Sequence, residues 1–88
     1  MASDLTGSLR MADLETIVVK GMLVEIGHDY DVFDNNVNGM TARVVKPYSV
    51  DRLEGPYKNE KRIVKHLVFV SEIDEYCEPR HEWLRIPG

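Results

Sequence analysis

The sequence predicts a mainly β domain, a small antiparallel barrel of four or five strands with a short N-terminal helix and one helical turn near the C-terminus. Three observations carry this. Two short runs, Gly21–Ile26 and Met40–Lys46, alternate apolar and mixed faces around a thirteen-residue polar connection, residues 27–39. Ile63–Val70 is apolar on both faces, Ile63/Leu67/Phe69 and Val64/Val68/Val70, broken by Lys65 and His66. No apolar run exceeds strand length; the longest, Leu67-Val68-Phe69-Val70, is far short of the roughly 20 residues that span a bilayer.

At 88 residues the chain is long enough for one domain and one modest core. With 43% hydrophobic and 30% charged residues, it has the composition of a folded chain and not a disordered one. Residues 1–7 are small and polar, and are expected to be a flexible end. Ser8–Glu15 contains good helix formers with Ser8 as a possible cap, hence the expected helix. Thr16–Val19 is β-branched and reads as extended chain, and Gly21 punctuates it before the first main strand.

In that strand Met22, Val24 and Ile26 share one face; in its partner Met40, Ala42 and Val44 do the same. Pro47, which has no N–H to give a ladder, is expected to end the second strand. Residues 47–62 then read as a second long loop, with a helical turn at Ser49–Leu53 stopped by Gly55-Pro56. Ile63–Val70 is the central strand. Ser71-Glu72-Ile73-Asp74 fits a capping pattern and predicts a helical turn through Tyr76. Trp83–Ile86 closes the chain as a short last strand. So few short strands remove their edges most economically by curling into a barrel. The sequence Gly-Met-Leu-Val-Glu-Ile, a variable loop, then Gly-Met-Thr-Ala-Arg-Val-Val resembles the opening hairpin of SH3-like and Tudor-type barrels, over about 25 residues. The resemblance is architectural and implies no family.

Several chemistries find only partial motifs in the sequence. Asp34-Asn35-Asn36-Val37-Asn38-Gly39 matches the first half of a calcium loop, but the twelfth position, where a bidentate Glu belongs, is Val45. An Asn38-Gly39 turn is the simpler reading. Cys77-x-x-x-His81 has half the spacing of a zinc site, and His28 and His66 would have to come from distant strands. Cys77 as a nucleophile lacks an orienting third group, and Glu78 beside it disfavours a thiolate. No catalytic residue, metal or cofactor is therefore expected. The single cysteine fits a reducing, cytoplasmic setting.

Charge is uneven. Residues 1–39 carry seven acids against two bases, residues 40–70 seven bases against three acids, and residues 71–88 five acids against two bases. The basic segment could form a nucleic-acid surface through Arg43, Lys46, Lys58, Lys61 and Arg62, or be neutralised by its acidic neighbours. The sequence pI of about 5.3 favours the second outcome. Long loops in compact domains are more often functional than decorative. The expected function is thus binding of another protein, in an adaptor, accessory or inhibitory role, through loops 27–39 and 47–62 and an adjacent sheet edge. Its residues would be Tyr30, Phe33 and Asp34 in the first loop and Tyr48, Arg52 and Tyr57 in the second.

Overall fold

A computed structural model describes residues 8–54 and 61–87, and the side chains of residues 8–50 and 63–87. Its elements are β1 (Leu9–Met11), β2 (Leu23–Ile26), a miniature hairpin of β3 (Asp31–Val32) and β4 (Asn35–Asn36), then β5 (Thr41–Glu54), β6 (Lys61–Val70) and β7 (Glu75–Cys77). A 3₁₀ turn at His81–Trp83 leads into β8 (Leu84–Pro87). Six strands form one antiparallel sheet in the order β1-β8-β2-β5-β6-β7.

The sheet is mainly β, as expected, but it is open. Strands β1 and β7 are its edges, where a barrel would have them meet. The connections show why closure is unnecessary. Val32 and Val37 from the 27–39 loop, and Ala12 and Val18 from the N-terminal segment, are buried against Val24, Ile26, Val44, Val68, Val70 and Leu84 on the inner face. Loops fill the volume that a rolled sheet would have enclosed.

Four local expectations are corrected. Leu9–Met11 is a strand and not part of a helix, because it pairs with the final strand, Leu9 opposite Pro87 and Met11 opposite Arg85. The chain then turns at Asp13, whose carboxylate accepts the Glu15 and Thr16 N–H groups and so diverts them from helix. Pro47 does not end its strand. The β5–β6 register shifts between Lys46 and Val50, so Pro47 sits in a bulge where no ladder donor is required. Residues 47–54 are accordingly strand, paired from Val50↔Lys65 to Glu54↔Lys61, and the turn expected at Ser49–Leu53 does not exist. The Ser49 hydroxyl instead donates to the Glu78 carboxylate. Finally, Ser71–Asp74 is a reverse turn, with Asp74 N–H to Ser71 C=O at 3.2 Å, and the helical turn near the C-terminus falls later, at 81–83.

Candidate docking face

The two faces of the sheet are unlike. Inward, rows such as Val44–Val68–Cys77 are buried. Outward, the register lines up Leu23, Arg43, Phe69 and Tyr76 across four neighbouring strands. Phe69 and Tyr76 pack as a tilted pair 4.9 Å apart. Together with Val45 and Ser71 this row lines a shallow depression of about 460 Å³. Arg43 reaches along it to donate to the Gly21 carbonyl at 2.8 Å. Tyr76, 58% exposed, also borders a second depression of about 440 Å³, lined by Tyr30, Phe33, Leu67 and Glu78. The outer face thus continues past the edge strand β7 onto the 27–39 loop.

That loop carries Phe33 into solvent. In the β3–β4 hairpin Val32 faces Asn35, leaving a two-residue connection, Phe33-Asp34, with φ of 48° and 68°. Both central residues of a type I′ turn need positive φ, which Asn-Gly tolerates and a phenylalanine does not. Phe33 is also 76% exposed, so neither burial nor conformation favours it there. Asn35 steadies the turn by donating to the Phe33 carbonyl. Tyr30 lies half-buried at the loop's base, 5.4 Å from Trp83, and burial pushes its phenol above the ordinary value. The calcium-like segment is spent differently: the Asn38 and Asn36 side-chain amides both donate to Asp29, holding its carboxylate below the usual range. Gly39, at φ 88°, makes the expected turn back into strand.

The other predicted residues disperse. Tyr30 and Phe33 share one depression, with Asp34 exposed beside Phe33 in the turn. Tyr48 lies in the β5 bulge, on a different part of the molecule, with its ring edge-on to His66. Arg52, Lys61 and Arg62 occupy backbone positions in β5 and β6, but their side chains, together with Tyr57 and Lys58, lie outside the described residues. Arg43 is in the outer row and Lys46 is exposed nearby on β5. Leu23 and Tyr76 of the outer row are not among the residues that the sequence singles out, and Phe69 enters there only as a ring interleaved with the basic segment. The signal available was the apolar outer half of Ile63–Val70, read as a second buried face. Exposed Leu14, Ile17 and Val19 were missed as well.

The soft-metal candidates separate into different settings. His28 stacks on Trp83 at 4.3 Å. Cys77 is buried, and its burial together with Glu78 pushes the thiol up to about 11. His66 and His81 come together, with His66 Nε2 and His81 Nδ1 2.8 Å apart. His66 Nδ1 accepts the Tyr48 N–H at 2.8 Å, and His81 Nε2 donates to the Asp13 carbonyl at 2.7 Å. Every ring nitrogen of the pair is therefore engaged, and none is offered to a substrate or an ion. Among the described residues no three His, Cys, Asp or Glu side chains gather as a metal cage, and no helix is long and apolar enough to cross a membrane.

Among the described residues, fold and surface define a small open-sheet β domain whose outer face carries the Phe69–Tyr76 aromatic pair. No family model, curated protein or solved structure matches the chain.

Proposed function

We propose that the chain is a non-enzymatic binding module that holds a protein partner against the outer face of its sheet and the Phe33 turn. One observation carries the reading: a bulky apolar side chain is kept at positive φ and in solvent, beside a cross-strand row in which Leu23 and Phe69 are half-buried and Tyr76 is exposed. Conformational strain that brings no packing is a mark of function more often than of stability. Aromatic anchors in shallow depressions are what protein interfaces concentrate their energy in.

The rim suggests the partner's chemistry. Asp31 and Asp34 flank the Phe33 turn, and Glu72 and Asp74 stand exposed in the turn after β6. An apolar segment with Lys or Arg on its flanks matches this surface, the apolar anchor lying on Phe69 and Tyr76 and the flanks meeting the acids. An adaptor, accessory or inhibitory role in the cytoplasm fits such a module.

A second reading has one observation in its favour. Arg43 between Leu23 and Phe69, with Lys46 nearby, is the ring-and-cation arrangement that stacks single-stranded bases. The acidic rim and the net charge of -4 oppose it, since phosphate neutralisation dominates such binding. A salt titration with a labelled single-stranded oligonucleotide separates the two. Protein docking predicts no binding at about 50 mM salt; micromolar binding that weakens steeply with salt would move the function to nucleic acid.

A further inference from the structure

We propose that the His66–His81 pair is an acid-sensitive latch, which holds residues 12–18 against the sheet and releases them when it takes up a proton. The inference goes beyond the docking face and does not depend on it. The geometry permits one arrangement of protons. The Tyr48 N–H makes His66 Nδ1 an acceptor, so the His66 proton is on Nε2 and points at His81 Nδ1. His81 must then carry its own proton on Nε2, which points at the Asp13 carbonyl. Each ring holds one proton, and each Nδ1 already faces an N–H at 2.8 Å. A further proton on either ring sets two donors face to face, so the chain from Tyr48 to Asp13 cannot survive it.

What the chain holds is weakly held otherwise. Residues 12–18 bury Ala12, Thr16 and Val18, while Leu14 and Ile17 face solvent. Besides the His81 contact, the segment is tied by Ala12 N–H to the Leu84 carbonyl, by Val18 N–H to the Tyr48 hydroxyl, and by that hydroxyl to the Thr16 carbonyl at 3.5 Å. Tyr48 packs on both imidazoles, edge-on to His66 and stacked over His81. Displacing the rings therefore disturbs the second tie along with the first. Ala12 and Val18 pack into the core, but the segment joins no ladder beyond Ala12, and this small set of backbone bonds places it among those that open below the global unfolding free energy.

The charged and titratable groups around the pair do not pre-empt it. Asp13 and Glu15 lie on the segment itself, Tyr48 on β5, Lys65 on β6, Glu78 and Arg80 ahead of the 3₁₀ turn and Glu82 within it. Hydrogen bonds from the Glu15 N–H and the Thr16 side chain keep the Asp13 carboxylate ionised to below its usual range. Glu78 is taken up by Ser49, and Arg80 pairs with Glu82 at 3.5 Å. Burial, then the His81 ring, lower His66 to about 4, so the latch is closed at neutral pH.

The test is amide hydrogen exchange on the whole chain, read as protection factors in steps from pH 7 to pH 4, with ¹⁵N imidazole shifts to assign tautomers at pH 7. Both rings are expected as Nε2–H tautomers. Protection at Ala12 and Val18 is expected to fall at least tenfold across the range, and to stay below that of Val24, Val44 and Val68 at every step. The variant His66→Asn/His81→Gln is expected to show the loose segment already at pH 7, with no further step on acidification. An Nδ1–H tautomer on either ring would overturn the latch. So would protection at residues 12–18 that persists until the sheet itself unfolds. If the variant does not fold, the wild-type exchange decides alone.

Discussion

At Tyr48 the backbone takes φ 53°, a conformation that a bulky residue adopts only when its surroundings impose it. Here they do. The bulge frees the Tyr48 N–H from the β5–β6 ladder, and the His66 ring accepts it in place of a carbonyl. The folded state thus needs His66 neutral, and the consequence for stability has a definite sign. With His66 lowered to about 4 from an ordinary value near 6.5, the unfolded chain takes up its proton first. Stability is therefore complete above about pH 6.5 and is lost as pH falls towards 4, by up to roughly 3 kcal/mol. Urea melts at pH 7.0 and 4.5 should show the loss, and a His66→Asn variant should flatten that slope. Cys77 behaves oppositely to a reactive thiol. Pushed up to about 11 and only 7% exposed, it should resist iodoacetamide at pH 8 in the folded protein and react at the ordinary rate in 6 M guanidinium. Rapid labelling of the native chain would contradict its placement on the inner face.

The elements differ in how much of them their own residues announce. β2, β6 and β8 follow alternation closely, because one face of each meets the core and a period of two leaves a clear trace. β1 leaves none: Leu9-Arg10-Met11 is three residues long, and its identity comes from pairing with β8, nearly eighty residues away. Pro47 misleads for a definite reason. Its missing N–H does forbid a regular ladder, and the chain satisfies that rule with a bulge and not with a stop. The histidine pair is half legible, since His66 falls in phase with Val68 and Val70 on the inner face. That His81 would meet it depends on where the 3₁₀ turn docks, which local pattern does not carry. The Phe33-Asp34 turn holds two residues at φ values that they do not favour. Replacing both with Asn-Gly supplies residues that accept the observed φ values of 48° and 68°, and should stabilise the hairpin by about 0.5–1 kcal/mol. A thermal melt checks this, and the same change should weaken partner binding. Stabilisation without loss of binding would mean that Phe33 is dispensable.

For the whole molecule, the mainly β class was readable from the spacing of apolar residues, while the closed barrel was not an outcome that spacing could decide. Closure depends on whether edges meet, and here the loops from residues 12–18 and 27–39 occupy the concave side instead. The same ambiguity hid the half-open outer face of the sheet. An apolar residue on a strand's second face reads alike whether another layer covers it or solvent does, and Phe69 is in fact half-buried, covered on that face by Tyr76 and not by a second layer. Tyr30 and Phe33, by contrast, stood out as apolar bulk inside an acidic loop, and they border the same surface.

The central claim is that the outer row and the Phe33 turn form one docking surface for an apolar segment with basic flanks. Selection from a random-peptide display library, with binding of the enriched peptides measured to wild type and to a Phe33→Ser/Tyr76→Ser variant, tests it directly. Both substituted side chains are mostly in solvent, so the variant should keep its fold and its melting temperature within a few degrees. The account predicts peptides carrying an aromatic or aliphatic anchor beside Lys or Arg, with affinity for the variant at least tenfold weaker. Peptides that are acidic, or that bind the variant as tightly as wild type, would contradict it.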